Sequence, residues 1–164
     1  MLKPYPEIID WVIQFDGPWR WVDSLVKTKV QKKVDWHGMT FYHGTSLWAW
    51  ETIQKEGLRP RDETKANPAY GDAFGANPGR TDSVYLTTQL GMAAAAANDA
   101  ARSARKAGHS GDAVILKIKG IQSAYVEPDE DSRARTPEKS LETLGSIAYR
   151  HSIPITKISV ERRM

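Results

Sequence analysis

Phe41-Tyr42-His43-Gly44-Thr45-Ser46 and, 42 residues further on, Ser83-Val84-Tyr85-Leu86-Thr87-Thr88 each read as a short strand that delivers one polar side chain ahead of a helix. After the first, Ser46 or Thr45 is placed to cap a helix carrying Leu47, Trp50 and Ile53, and Gly57 stands where helices end. After the second, Thr87 or Thr88 is placed to cap a helix reaching about Lys106. Its alanines favour the helix and leave room for close packing. The repeated unit is strand, tight turn, helix.

Outward from these two units the pattern stays short-stranded. Ala113 to Lys119 reads as a strand buried at first and then alternating toward an edge, and Tyr125-Val126 as a brief one. Pro128 to Arg135 is charged and reads as a surface loop. Thr136-Pro137-Glu138 combines a cap with proline at the first helical position, and Gly145 keeps that helix brief. Ser146-Ile147-Ala148-Tyr149 and Ile155 to Val160 read as two final strands joined around Pro154. Five or six short strands with few helices between them predict an α+β fold, not a doubly wound parallel sheet. Residues 58 to 82 have no apolar period and carry prolines and glycines from Pro68 to Gly79, with Arg59, Arg61 and Arg80 around them. A long loop of that kind inside a compact domain is expected to be a lid or a binding loop.

Residues 1–39 read as a helical extension and 40–164 as the main domain. In the extension, Ile8, Ile9, Trp11, Val12 and Phe15 recur at helical spacing, and Gly17-Pro18 breaks the run. A second helix from Pro18 would carry Trp21, Val22, Leu25 and Val26. Trp11, Trp19, Trp21 and Trp36 are expected to pack the extension onto the body rather than to stack on bases.

Composition narrows the function classes. The chain has 164 residues, 40% hydrophobic and 26% charged, which is the make-up of an ordinary globular domain. It has no cysteine, so disulfides and thiolate metal sites are excluded, and its four histidines lack the spacing of a zinc motif. No metal is expected. The absence of a long apolar run and of a cleavable signal pattern predicts a cytoplasmic protein with no membrane partner. Net charge is only +3, although Lys27, Lys29, Lys32 and Lys33 cluster, as do Arg102, Arg105 and Lys106. Such clusters are more often solvated faces than nucleic-acid contacts.

Tyr42-His43-Gly44-Thr45, the helix ending Glu56-Gly57-Leu58, and Val84-Tyr85-Leu86-Thr87 ahead of an alanine-rich helix resemble the NAD-using ADP-ribosyltransferases of the diphtheria-toxin and poly-ADP-ribose-polymerase type. Ser146-Ile147-Ala148-Tyr149 to Ile153-Pro154 is similar to that family's third motif strand. The resemblance spans about residues 40 to 160 and leaves out the extension. It implies a split, mixed or antiparallel sheet flanked by helices, NAD as co-substrate, and an acceptor that is a protein or a nucleic acid. Small size, the absence of cysteine and the lack of a secretion pattern suit a bacterial or phage effector or toxin, and other origins as well.

The residue chemistry agrees with that implication. A nicotinamide amide needs one donor and one acceptor, and a glycine such as Gly44 brings backbone groups close without a Cβ in the way. An imidazole can bond a ribose hydroxyl, and an aromatic ring can stack on a pyridinium, a contact worth about 0.5–2 kcal/mol. By resemblance, His43 would hold the adenosine ribose, Gly44 the nicotinamide amide, Thr45 or Ser46 the adjoining ribose region, and Tyr85 the nicotinamide face. Arg80, at the end of the loop, could reach the pyrophosphate, where a planar guanidinium suits phosphate oxygens, or stand as a solvent-exposed loop arginine. Cleavage at C1′ builds positive charge on the ribose, which the site must orient and stabilise.

The third motif departs from the family. Where many members carry a glutamate, this sequence has Ser146, which can bond a ribose hydroxyl but is no general base unaided. Glu142, one turn earlier, is the nearest substitute, with Glu138 behind it. A missing glutamate favours transfer of a single ADP-ribose, activation of the acceptor by the target itself, or loss of catalysis. Arg150 and His151 follow the motif and read as structural before they read as acceptor contacts. The resulting expectation is a mono-ADP-ribosyltransferase. An NAD-dependent RNA 2′-phosphotransferase is less well matched for want of an arginine set, and a catalytically silent NAD or ADP-ribose-binding module is the remaining alternative.

Overall fold

A computed structural model describes residues 33–64 and 80–164. The expected helices of the extension, their tryptophans up to Trp21, the lysines up to Lys32, and the loop from Pro68 to Gly79 lie outside the described residues. Asp35–Met164 form one compact unit, and within it Trp36 is buried with its ring stacked on Phe41.

The fold is α+β, as the strand pattern predicts. Six strands form one antiparallel sheet: β1 (Thr40–Ser46), β2 (Val84–Thr87), β3 (Ala113–Lys119), β4 (Val126–Pro128), β5 (Ser146–Tyr149) and β6 (Ile158–Arg163). Their order across the sheet is β4-β5-β2-β1-β3-β6. Among the described residues the helices are α1 (Leu47–Glu56), a single turn α2 (Arg61–Thr64), α3 (Leu90–Lys106) and α4 (Pro137–Leu144). No parallel pair occurs among the described strands, so the mixed alternative is not the one realised.

Strand pairing divides this sheet into two halves. β1 is zipped to β3 along its whole length, from Thr40 opposite Lys119 to Ser46 opposite Ala113. Toward β2 it shares only one register pair, Tyr42 opposite Thr87. β2 in turn is fully paired with β5, Tyr85 opposite Ala148 and Thr87 opposite Ser146. The sheet therefore opens between β1 and β2 just where His43 and Tyr85 stand.

Alternation along β1 assigns its two faces. Phe41, His43 and Thr45 lie across from Ile118, Leu116 and Val114, and the apolar members of that set are fully buried. Tyr42, Gly44 and Ser46 take the other face, where α3 packs through Ala93, Ala97 and Ala101 against Ala113 and Ile115. A Cβ built on Gly44 would lie 2.1 Å from the Ala93 carbonyl oxygen and 2.4 Å from the Ala97 nitrogen. The alanine stripe and the glycine are thus one device that lets a helix backbone touch a strand backbone.

Several local expectations hold and others need correction. Ser46 caps α1, its Oγ accepting from the Ala49 N–H at 3.2 Å, and Thr136 caps α4 with Pro137 at its first position. Neither Thr87 nor Thr88 caps α3; the cap position is Gln89, whose side chain makes no capping bond and donates instead to the Leu144 carbonyl. Both threonines instead donate to the Gly145 carbonyl, at 2.8 Å and 3.3 Å, because β2 ends beside the left-handed Gly145 that closes α4. β3 is an interior strand, and the edge belongs to β6, whose residues from Ser159 on are exposed. Ile155–Lys157 form a 3-10 turn, so the last strand begins only at Ile158. Among the described residues no helix is long and apolar enough to cross a membrane, and no group of three or more His, Asp or Glu is arranged to hold a metal ion.

Candidate functional site

His43 reaches across the opening between the half-sheets, its Nδ1 lying 2.9 Å from the Tyr85 carbonyl oxygen. A carbonyl only accepts, so Nδ1 carries the proton and Nε2 is left as a lone-pair acceptor. Burial lowers the imidazole below its ordinary value, and the bond to Tyr85 opposes that shift only in part. Near neutral pH the ring is therefore neutral, with its acceptor nitrogen defined.

Tyr85 is the hub of the site. Its carbonyl takes His43, while its hydroxyl accepts from the Arg80 N–H at 2.7 Å and donates to Glu130 Oε1 in a short bond. The same Glu130 oxygen accepts from the Arg80 N–H at 2.9 Å. Desolvation, and then the bond to Glu130, push the Tyr85 phenol well above its usual range, so it stays protonated as the donor. Glu130 Oε2 is buried and has no hydrogen-bond partner among the described residues. A carboxylate oxygen in that state is a site for a hydroxyl donor.

A second, deeper network holds Glu130 in place. Asp129, only 6% exposed, accepts from Ser146 Oγ through Oδ2 and from the Asp131 N–H through Oδ1 at 3.0 Å. Ser140 Oγ accepts from the Asp129 N–H at 3.0 Å and donates to the Ser146 carbonyl at 2.8 Å. Burial raises the Asp129 carboxyl above its usual value, and the bond from Ser146 pulls it partly back. These bonds tie β5 and α4 to the turn Glu130–Ser132 and aim Glu130 at Tyr85. Pro128 to Arg135 is consequently not the plain surface loop its charge suggests, because the hydroxyls of Ser140 and Ser146 solvate its first acid inside the fold.

Arg80 is engaged within the protein. Its guanidinium forks onto Asp82, at 3.0 Å from each oxygen, and reaches Glu127 Oε2 at 2.6 Å. Arg150 closes the ring on Glu127 Oε1 at 3.0 Å and Asp82 Oδ2 at 3.2 Å. Bonding from Arg80 holds the Asp82 carboxyl below its usual value. Burial pushes Glu127 up, but Arg150 and Arg80 outweigh it and leave that carboxyl low as well. A pyrophosphate at Arg80 would have to compete with two carboxylates already in place.

The remaining sequence-predicted residues fall as follows. Gly44 faces α3, so its missing Cβ accommodates the helix. Thr45 and Ser46 are both buried, and the Ser46 hydroxyl is the α1 cap. Ser146 is buried with its hydroxyl donated to Asp129. Glu142 is 70% exposed and pairs with Lys139 at 2.9 Å on the outer side of α4. His151 stacks on Tyr125 at 4.4 Å and Arg150 serves the carboxylate ring, both structural roles as expected. The structure thus joins His43 to the Tyr85 carbonyl and Arg80 and Glu130 to the Tyr85 hydroxyl, and leaves Glu142 outside. Glu130 was hidden in a run of charge, Glu127 to Arg135, with no periodicity to distinguish it.

No known family model matches this sequence, and no curated protein matches it significantly.

Proposed function

We propose that this protein is a mono-ADP-ribosyltransferase that splits NAD and passes ADP-ribose to a macromolecular acceptor, protein or nucleic acid. The observation that carries the reading is the His43–Tyr85 bond across the place where β1 and β2, among the described residues, share a single register pair. Two acceptors, one at that opening and one beyond the Tyr85 hydroxyl, suit a ribose, whose hydroxyls are donors. His43 Nε2 is a defined acceptor, and Glu130 Oε2 is a buried carboxylate oxygen without a partner among the described residues.

NAD supplies the bond to be broken: the C1′–N electron pair leaves with nicotinamide, and the acceptor's nucleophile forms the new bond at C1′. The protein's part is positioning and proton handling. His43 accepts from a ribose hydroxyl and fixes the sugar against Tyr85. The Tyr85 ring lies against the pyridinium, with its hydroxyl anchored to Glu130 so that the ring cannot rotate away. Glu130 takes the acceptor's proton, the task for which Ser146 and Glu142 are badly placed.

One observation favours the silent-module alternative. The Ser146 hydroxyl is committed to Asp129 and the Arg80 guanidinium to Asp82 and Glu127, so two residues matched to the family's motifs already have internal partners. Incubation with isotope-labelled NAD and a cell extract, read by mass spectrometry, separates the readings. Released nicotinamide and labelled adducts that vanish with His43→Ala support the transferase. NAD binding without turnover supports the module.

A further inference from the structure

At the end of the sheet where β1 stops, β3 starts and β6 finishes, an exposed aromatic pair stands among cations. Trp48, 47% exposed on the first turn of α1, lies flat against the exposed ring of His109, with centroids 4.1 Å apart and planes only 5° from parallel. The pair is held from both sides. The Leu47 N–H donates to the Asp112 carbonyl at 2.8 Å, and the His109 N–H donates to the Ala104 carbonyl at 2.9 Å as α3 ends. Neither ring is needed to fill the core. Burying even half of an indole normally stabilises a fold, so a flat pair left open to solvent offers a stacking surface.

The charges beside it are mostly positive. Arg105 and Lys106 close α3 just before His109, and the Arg105 guanidinium bonds the Gly111 carbonyl at 2.9 Å. Arg162 and Arg163, both exposed, pair with Ile115 and Val114 at the same sheet end, next to Met164, which exchanges backbone bonds with Ala113. Lys106, Arg162 and Arg163 form no ion pair among the described residues. Of the acids nearby, Glu161 is already paired with Lys117, which leaves Asp112 and, three residues after Trp48 on α1, the exposed Glu51.

We infer that this end of the molecule is a binding surface for single-stranded nucleic acid. A base stacks on the Trp48–His109 pair, and the phosphates on either side of that base lie over Arg105, Lys106, Arg162 and Arg163. An aromatic platform flanked by a basic groove is the general solution for unpaired strands, because every base has a flat face and every linkage a charge. A duplex offers no unstacked base to the platform. An acidic peptide would satisfy the cations and leave the flat pair unused. The surface is independent of the NAD reading, since it engages none of His43, Tyr85 or Glu130.

The test uses the full chain without NAD and a fluorescein-labelled 12-nucleotide single strand of mixed sequence, followed by anisotropy at several salt concentrations. Trp48→Ala is expected to weaken binding about tenfold, while Trp48→Phe retains most of it. The triple variant Lys106→Gln/Arg162→Gln/Arg163→Gln is expected to weaken binding and to flatten the salt dependence. Unchanged affinity in Trp48→Ala, with an unchanged circular dichroism spectrum, overturns the inference. So does tighter binding of a polyglutamate peptide, or of the duplex, than of the single strand. A Trp48→Ala chain that loses its fold is replaced by His109→Ala, which tests the other ring. Because no NAD is present, failure here leaves the transferase reading intact, and failure of that reading leaves this surface intact.

Discussion

The His43 imidazole and the Tyr85 carbonyl oxygen lie 2.9 Å apart across the opening between β1 and β2, although β1 and β2 share only the Tyr42–Thr87 pair. That bond takes over the linking role that a backbone ladder would otherwise play at this point. It also orients the ring. A side chain that joins two half-sheets and presents a lone pair between them can serve structure and ligand at once, and the two roles separate experimentally.

Acidification should reveal His43. Its value in the folded protein lies below the unfolded 6.5 because burial disfavours the cation. The unfolded chain therefore binds the proton first as pH falls. The associated stability is complete above pH 6.5 and is lost as pH drops through the folded value. NAD turnover should follow the same direction, since protonated Nε2 no longer accepts. Melting curves and nicotinamide release across pH 4.5 to 8 should show an acid limb in the native protein that His43→Gln removes; an identical limb in the variant would assign it elsewhere.

Glu130→Gln is expected to lower nicotinamide release or adduct formation by about 10²-fold or more, the usual worth of a positioned acid or base. Its melting temperature should change little, because the amide can still accept from Tyr85 through its oxygen. Glu142→Gln, on the outer face of α4, should stay within about twofold of native. Comparable losses from the two would remove Glu130 from its assigned role.

Tyr85 divides into ring and hydroxyl. Tyr85→Phe keeps the stacking face but removes the hydroxyl that links the Arg80 N–H to Glu130, leaving those two bonded to each other, and should cost about 1 kcal/mol of stability with KM for NAD near native. Tyr85→Ala should raise KM for NAD as well, by the loss of a ring contact worth about 0.5–2 kcal/mol. Equal KM values for the two variants would mean that the ring does not touch the ligand.

Ser146→Ala tests the buried network apart from catalysis. It leaves Asp129 Oδ2 without its donor inside the protein, a loss of about 1–3 kcal/mol in denaturant unfolding. Asp129→Asn is expected to be milder, because burial already disfavours the charged carboxyl and an amide can keep the Ser146 bond. A large rise in KM for NAD in Ser146→Ala at unchanged stability would instead place Ser146 against the ribose.

Gly44→Ala should destabilise the fold by about 3 kcal/mol or prevent folding, because a new methyl would meet backbone atoms of α3 that cannot move aside as a flexible side chain does. Near-native stability would require α3 to sit farther from β1 than it does.

The two strand-turn-helix units, the α4 cap and stop, and the α+β class were legible in the chain because their signals are local. A hydroxyl before a helix, a proline at its first turn, a glycine at its end and alternating apolar residues all act within a few positions. His43 and Tyr85 were legible for the same reason, each standing in a short strand with its own pattern. What Gly44 does was not, since the helix it accommodates begins 46 residues later, at Leu90.

The sequence by itself therefore determined most of the elements, the caps of α1 and α4, and the two polar groups that β1 and β2 deliver. Tertiary structure alone decided which carboxylate joins them. Glu130 lies 45 residues from Tyr85 and reaches its hydroxyl only because β5 pairs with β2 on one side and β4 on the other, while Asp129, Ser140 and Ser146 lock the turn between β4 and α4. Strand pairing across the sheet and burial of one acid to aim the next depend on partners far along the chain, and no local propensity encodes them.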